Sequence, residues 1–455
     1  MLKNEEIEVL DKQYKPETMV INRHSIEHDV TALLRKGLTT TSAGGFFFIP
    51  YLLQLGAHRM LSNVGKPKLS GIPNEKLGLE MIFESLFGYK VGVRAIDSIS
   101  RVDFGLLSGL PFIPSPSTQY RYLQRYSVKD ALSLQVQLGK RLVQLGQVEP
   151  NGFPINIDGH NIKTYSRKAM KKSYITQNKQ YGKAIRTFYT QDQTSKKPLM
   201  AVATYSGTAV RQITSKLAKY TREILGYDFI MVADKEWYCG QLIEELHEEY
   251  GVSILVPVKR SKKRIEEFES VPLHLYDKTI WGNIATLYTT MKNFDGPLKM
   301  ILKKRDDGKY FALITPEKTM GTLAMPIYTG RWKLELFFGE NSFLGINHLP
   351  SLNLNAIQQS LSLRLFAFHA FDNFRNDLGY NYNNKTPEII HRQFVDGVQG
   401  MIQLKGDTII IKIYGFEHQD AAAAIFNNLE DKLIASNVDP RIPWLRNKKL
   451  KFEFL

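Results

Sequence analysis

The sequence predicts a mixed α/β (α+β) protein: a mixed sheet with flanking helices, interrupted by an antiparallel β insertion and preceded by a mostly helical N-terminal domain. Three observations predict it. Apolar residues recur at helical spacing over residues 51–61, 77–87 and 128–145. From Phe153 the pattern changes to short β-type runs separated by helical stretches. Between residues 276 and 314 that alternation gives way to three consecutive β-like runs.

Taken in order, the helical region is interrupted by PFIPSPST (111–118), whose three prolines mark a turn or a helix lead-in. Ser117 or Thr118 is expected to cap a helix beginning near Gln119. With Arg121 and Arg125 beside it, this segment reads equally as part of a DNA-contacting helix-turn-helix or as plain helical packing. FPINIDG (153–159) is the first predicted strand, and AIRTFYT (184–190) and PLMAVATYS (198–206) form a hairpin around the polar turn QDQTSKK. A helix over 210–225, the buried strand DFIMVAD (228–234), a helix over 239–250 and the buried strand VSILVPV (252–258) follow. The order strand, hairpin, helix, strand, helix, strand is that of ribonuclease-H-like domains.

The runs 279–290, 297–304 and 309–315, with NFDG and RDDG turns, read as a β insertion in that core. Helices are expected over 328–339 and 355–378. A strand-like TIIIKIYGF, an Ala-rich helix over 421–435 and the basic end WLRNKKLKF complete the chain. The expected division is therefore 1–150 helical and DNA-binding, 151–275 first part of the core, 276–318 insertion, 319–380 helical second part, and 381–455 for DNA binding or dimerisation.

Sixty Lys and Arg against forty-five Asp and Glu leave a formal charge of +15 over 455 residues. That balance makes nucleic acid the leading partner. A membrane is not expected: the most apolar N-terminal stretch, 44–55, is short, contains Pro50 and is soon followed by His58 and Arg59. The single cysteine, Cys239, excludes an intrachain disulfide and a thiolate zinc cluster, which suits a reducing cytosol. Any metal must then sit on oxygen or His ligands.

Asp158 and Asp234 each stand where an apolar run meets a carboxylate, at the ends of predicted strands. Strand ends are ligand positions, although such an Asp also serves turns and caps. In YTGRWKLE, Tyr328, Arg331 and Glu335 fall at i, i+3 and i+7 and share one face of a helix. Spacing alone leaves open a surface ion pair between Arg331 and Glu335 with Tyr328 packed beside it.

Together, INIDGH around Asp158, MVADKEW around Asp234 and YTGRWKLELFFGENS resemble the bacterial insertion-sequence DDE transposases whose last helix carries Y-x2-R-x3-E-x6-K. The resemblance spans about residues 100 to 375. It departs at position 342, where Ser342 replaces the signature lysine that contacts DNA in the family. A serine can hydrogen-bond a phosphate but brings no charge.

The resemblance implies a metal-dependent polynucleotidyl transferase and endonuclease holding two Mg²⁺ or Mn²⁺ ions. Asp158 would bridge both, with Asp234 on one and Glu335 on the other. Hard cations prefer such carboxylate oxygens. Tyr328 and Arg331 would orient a DNA phosphate. The implied reaction is cleavage at transposon ends, a DNA hairpin, and strand transfer into target DNA in the cut-and-paste manner.

Trp281 in the insertion is a candidate for stacking on a flipped base, against a core or interface role. Lys163, Arg167 and Lys168 after the first Asp, with Lys171 and Lys172, and Lys259 and Arg260 after the strand 252–258, are candidate phosphate contacts, against a solvated charged face. His160 reads as a metal ligand or a polar turn residue.

The implied partners are double-stranded DNA, as terminal inverted repeats and as target, and a second copy of the chain in a synaptic homodimer. The implied setting is the cytoplasm of a prokaryotic cell, at the nucleoid. Two other readings keep the fold: a metal-dependent nuclease or resolvase that cuts without joining, and a non-catalytic DNA-binding descendant.

Overall fold

The computed structural model describes residues 29–65, 71–89, 102–148, 154–167, 169–175 and 180–455. Lys168 and Phe153 lie outside the described residues. The chain divides into two compact units, the first of residues 1–134 with 340–455 and the second of residues 135–339.

In the first unit, short helices Ile49–Gln54, Ala57–Asn63 and Asn74–Leu86 follow strand β1 (Leu38–Thr40). The helix expected from Gln119 begins earlier, at Pro116, and runs to Arg125. Ser115, not Ser117 or Thr118, caps it: its hydroxyl accepts from the Thr118 N–H at 3.3 Å, and Pro116 takes the first turn, where its missing N–H costs nothing.

The second unit is built on a nine-stranded sheet. Its strands are β2 (Ile155–Lys163), β5 (Ala184–Asp192), β6 (Pro198–Tyr205), β7 (Ile230–Val232), β8 (Ser253–Pro257), β9 (Asp277–Thr279), β10 (Gly282–Thr289), β11 (Leu298–Lys304) and β12 (Tyr310–Thr315). A separate two-stranded hairpin, β3 (Ser173–Ile175) and β4 (Gln180–Gly182), lies in the chain between β2 and β5. The sheet order is β6-β5-β2-β7-β8-β12-β11-β10-β9. Its first five strands are the five core strands that the sequence predicts, with β2, β7 and β8 parallel and β5 and β6 antiparallel. The insertion continues the same sheet through the antiparallel pair β12 and β8.

Helix Val210–Leu225 turns its apolar stripe inward, with Ile213, Leu217 and Leu225 buried, and ends at Gly226, whose φ of 77° is the left-handed value that glycine adopts without strain. Buried Leu255, Ile284, Ile301 and Leu313 join the core strands to the insertion in one apolar cluster.

The first strand does not stop at Asp158: β2 stays paired with β5 through Lys163↔Ala184, so the polar run Gly159–Lys163 remains strand because β5 meets its backbone groups. The single helix expected over 328–339 is two, Ala324–Thr329 and Trp332–Glu340, with Gly330 and Arg331 between them.

The first unit resumes at Glu340. Helix Leu354–Asp377 is buried around its whole circumference from Ala356 to Phe374, as expected of a helix at the centre of a core. Phe47 stacks on Phe426 at 4.8 Å and on Phe374 at 5.9 Å. Strands β13 (Gly400–Lys405), β14 (Thr408–Ile413) and β15 (Lys449–Phe454) complete a sheet in the order β1-β13-β14-β15. The Ala-rich tail helix is two, Gln419–Phe426 and Leu429–Ala435, broken where Asn428 takes a φ of 58°. Among the described residues no helix is long and apolar enough to cross a membrane.

Candidate active site

Asp158 lies in the middle of β2, three residues past Ile155, at the point where the strand's burial ends. In the parallel pairing of β2 with β7, Ile155 is level with Met231 and Asn156 with Val232. Two residues further along each chain come Asp158 and Asp234. The sequence Ile-Met-Val-Ala supplies a buried strand, and Asp234 then precedes a 3-10 turn, Lys235–Trp237, anchored by the buried Trp237. Parallel register therefore brings the two carboxylates to the same level of the sheet.

The third carboxylate arrives through Arg331. This buried guanidinium donates from Nη1 to Asp158 Oδ2 and from Nη2 to Glu335 Oε1, each at 2.7 Å. Tyr328 lies against the same guanidinium, 5.9 Å from ring centroid to Cζ. The i, i+4 ion pair expected from spacing is present, and its other fork reaches β2. Tyr328, Arg331 and Glu335 meet across a break between two helices rather than along one helix face.

What sets the break is an amide clasp that sequence reasoning missed. Gln193 Nε2 donates to Asn156 Oδ1 at 2.8 Å and to the Ile327 carbonyl at 2.9 Å, while Asn156 Nδ2 donates to the Gly330 carbonyl at 3.2 Å. Lys333 Nζ adds a bond to the Gln193 carbonyl at 2.9 Å. A Cβ at position 330 would collide with the Gln193 amide, so glycine permits this close approach. The available signal was Asn156 itself, a polar residue within an apolar strand and two residues before Asp158 on the same face. Arg186 of β5 was missed too: it forms a two-pronged ion pair with Glu236, in the turn that follows Asp234.

Burial pushes the Asp158 carboxyl up to about 6; Arg331 and the Gly159 N–H oppose the shift, and the negative charges of Glu335 and Asp234 add to it. His160, expected as a turn residue or a ligand, lies within β2 with its ring stacked on Phe338 at 5.0 Å, and burial lowers it to about 4. Among the described residues no three His, Cys, Asp or Glu side chains stand close enough together to hold one metal ion. The donor set nevertheless suits a hard divalent cation: Asp158 and Glu335 already share one positive charge, and Asp234 bears on Asp158 electrostatically.

The remaining candidates lie outside this cluster, Ser342 in the first unit and the others in the second. Trp281 sits at the turn between β9 and β10 and is 38% exposed, so it is not a core residue. Lys163 ends β2, with its ammonium 4.8 Å from the Tyr165 ring centroid, and Arg167 is exposed in the loop beyond. Lys259 and Arg260 are exposed after β8, where Arg260 bonds the Tyr310 carbonyl at 3.0 Å. Ser342 opens a 3-10 turn and is exposed.

Residues 155–368 match the family described as Transposase DDE domain. Among solved structures, a piggyBac transposase synaptic complex with hairpin DNA is similar at 14% identity and a TM-score of 0.43, over 76% of this chain and 79% of that one. No curated protein sequence matches the chain.

Proposed function

We propose that the chain is a DNA transposase that cleaves DNA at transposon ends and transfers the freed strand into target DNA, with Asp158, Asp234 and Glu335 as its catalytic carboxylates. The observation that carries the reading is the shared guanidinium: Asp158 and Glu335, both within the matched residues 155–368, converge on Arg331 although they are far apart in the chain. The register that levels Asp158 with Asp234 supports the third member.

In this reading the three carboxylates would hold two Mg²⁺ or Mn²⁺ ions. When bound, such ions activate an attacking water or 3′-hydroxyl and offset the charge on phosphate and leaving oxygen. The chain's own part is positional. The buried face of β2 fixes Asp158, the amide clasp fixes the helix carrying Glu335, and Arg331 is a forked donor suited to a phosphate once its carboxylates take another cation. Tyr328 steadies that guanidinium. Trp281, Lys163, Arg167, Lys259 and Arg260 would guide the DNA. The partners are double-stranded terminal repeats and target DNA, handled by a homodimer through a hairpin intermediate.

The test uses purified chain, Mg²⁺ or Mn²⁺, and DNA carrying the inverted repeats that flank its own coding sequence. Nicks, hairpins and strand-transfer products are expected, and Asp158→Ala, Asp234→Ala and Glu335→Ala should each bind that DNA without cutting it. Nicks without joining would make the chain a nuclease instead. No cleavage by the wild type, with Asp158→Ala binding equally well, would leave a DNA-binding protein only.

A further inference from the structure

Between residues 159 and 183 the chain carries seven Lys or Arg and no Asp or Glu. The same segment contains the hairpin β3–β4, whose two faces differ. Ile175 is fully buried, whereas Tyr174 and Tyr181, directly opposite each other in the register, are 47% and 72% exposed. Their rings meet edge to face with centroids 5.4 Å apart. A third ring, Tyr165, is 85% exposed with the Lys163 ammonium near its centroid. Lys171 and Lys172, both exposed, lead directly into β3.

The hairpin and the segments flanking it are tied to one another, to β2 and to the end of β6. Asn161 Nδ2 donates to the Tyr174 carbonyl at 3.4 Å, Lys183 Nζ to the Ser166 carbonyl at 3.1 Å, and the Ser206 hydroxyl to the Lys171 carbonyl. Asn161 is three residues past Asp158 on β2, about 10 Å along the strand at roughly 3.3 Å per residue, and its side chain leaves the opposite face of the strand from Asp158. A cross-strand tyrosine pair would by itself stabilise a hairpin. That role accounts neither for the exposure of Tyr165 nor for the absence of acidic residues from this segment of the sequence.

We propose that Tyr165, Tyr174 and Tyr181 form a stacking platform for the unpaired bases of single-stranded DNA, with Lys163, Arg167 and Lys171 on its phosphates. Exposed aromatic rings within a positive field bind single strands because every base has a π face and every nucleotide a charge. Duplex DNA offers the charge but keeps its bases stacked inside. The proposal rests on the DNA reading of the carboxylate site and names the form of DNA that this part of the unit takes.

The experiment measures binding of the full chain in EDTA, by fluorescence anisotropy, to a labelled dT strand, to the same strand with abasic sugars throughout, and to a duplex. The double variant Tyr174→Val, Tyr181→Val keeps β-forming residues but removes the rings. It should weaken dT-strand binding at least about tenfold and change duplex binding less than about twofold. Wild type should bind the abasic strand as weakly as the double variant binds dT, and Tyr174→Trp, Tyr181→Trp should restore dT binding.

Equal loss on duplex and single strand, or unchanged dT binding by the valine variant, would overturn the platform. Far-UV circular dichroism and the thermal melt of each variant separate misfolding from lost stacking, and the tryptophan variant supplies a second folded readout. Asp158→Asn should keep the full dT preference. Failure of the carboxylate reading therefore appears as absent cleavage with the dT preference intact, and failure of the platform as the reverse.

Discussion

Arg331 donates from Nη1 to the Oδ2 atom of Asp158 at 2.7 Å, and this bond joins the break between two helices to the middle of a sheet strand. Its partner bond to Glu335 makes the guanidinium the point where the site's carboxylates meet. A forked, permanently charged donor can hold two carboxylates and later a phosphate; an ammonium is a point charge and cannot keep both prongs.

Arg331→Lys is therefore expected to slow strand cleavage about 10- to 100-fold, the loss of one charge-assisted hydrogen bond of about 1.5–3 kcal/mol. Its affinity for terminal-repeat DNA should change less than about threefold. Single-turnover cleavage rates and anisotropy binding curves check the pair of values, and an undiminished rate would show that the fork has no catalytic part.

Asp158 predicts a pH dependence of the metal-free protein. Its folded pKa, about 6, lies above the ordinary 3.8, with burial as the main cause. Between those values the folded state binds more protons than the unfolded, so the contribution of Asp158 to stability falls as pH rises through that window. The full effect, above pH 6, is at most about 3 kcal/mol. Asp158→Asn should gain in melting temperature relative to wild type from pH 4 to pH 7.5, and Mg²⁺ at pH 7.5 should raise the wild type more than the variant. Parallel melting curves across that range in scanning fluorimetry would contradict the buried-charge account.

Much of this was legible in the residues. The alternation of buried strands and amphipathic helices after Phe153 predicted the five core strands, because burial on both faces leaves uninterrupted apolar runs such as VSILVPV. Asp158 and Asp234 were legible where apolar runs meet a carboxylate, and Glu335 on a helical spacing with Tyr328 and Arg331. The continuation of β2 to Lys163 was not, since Gly-His-Asn-Ile-Lys has weak strand character and is held by its partner β5. Nor was the break at Gly330 and Arg331, whose cause, the Gln193 amide, lies in a distant polar turn. Periodicity reports a residue's own neighbours along the chain, whereas these two features depend on partners far away in sequence.

The amide clasp should be costly to disturb. Gly330→Ala places a methyl against the Gln193 amide, and overpacking of this kind destabilises by about 1–3 kcal/mol. Gln193→Ala removes two donated bonds and leaves the Ile327 carbonyl without its amide, a loss of about 1–3 kcal/mol. Urea unfolding gives the stability. If the clasp positions Glu335, cleavage at saturating DNA should fall in both variants under conditions where they are fully folded. An unchanged cleavage rate would reduce the clasp to a packing device.

Ser342 offers a test by gain rather than loss. A phosphate contact from lysine releases a condensed counterion, so each one adds about 0.9 to the slope of log affinity against log salt on duplex DNA. The hydroxyl of Ser342 contributes no such charge and is exposed, so a longer cationic side chain can be placed there without disturbing a core. Ser342→Lys is therefore expected to tighten binding to terminal-repeat DNA at low salt and to steepen the salt dependence by about one ion. The thermal melt should be nearly unchanged, because surface substitutions of this kind stay within about 0.5 kcal/mol. Affinities measured between 50 and 200 mM salt, to be read as roughly a threefold difference in slope-driven loss, decide it. An identical slope in variant and wild type would mean that position 342 does not face the DNA backbone in this chain.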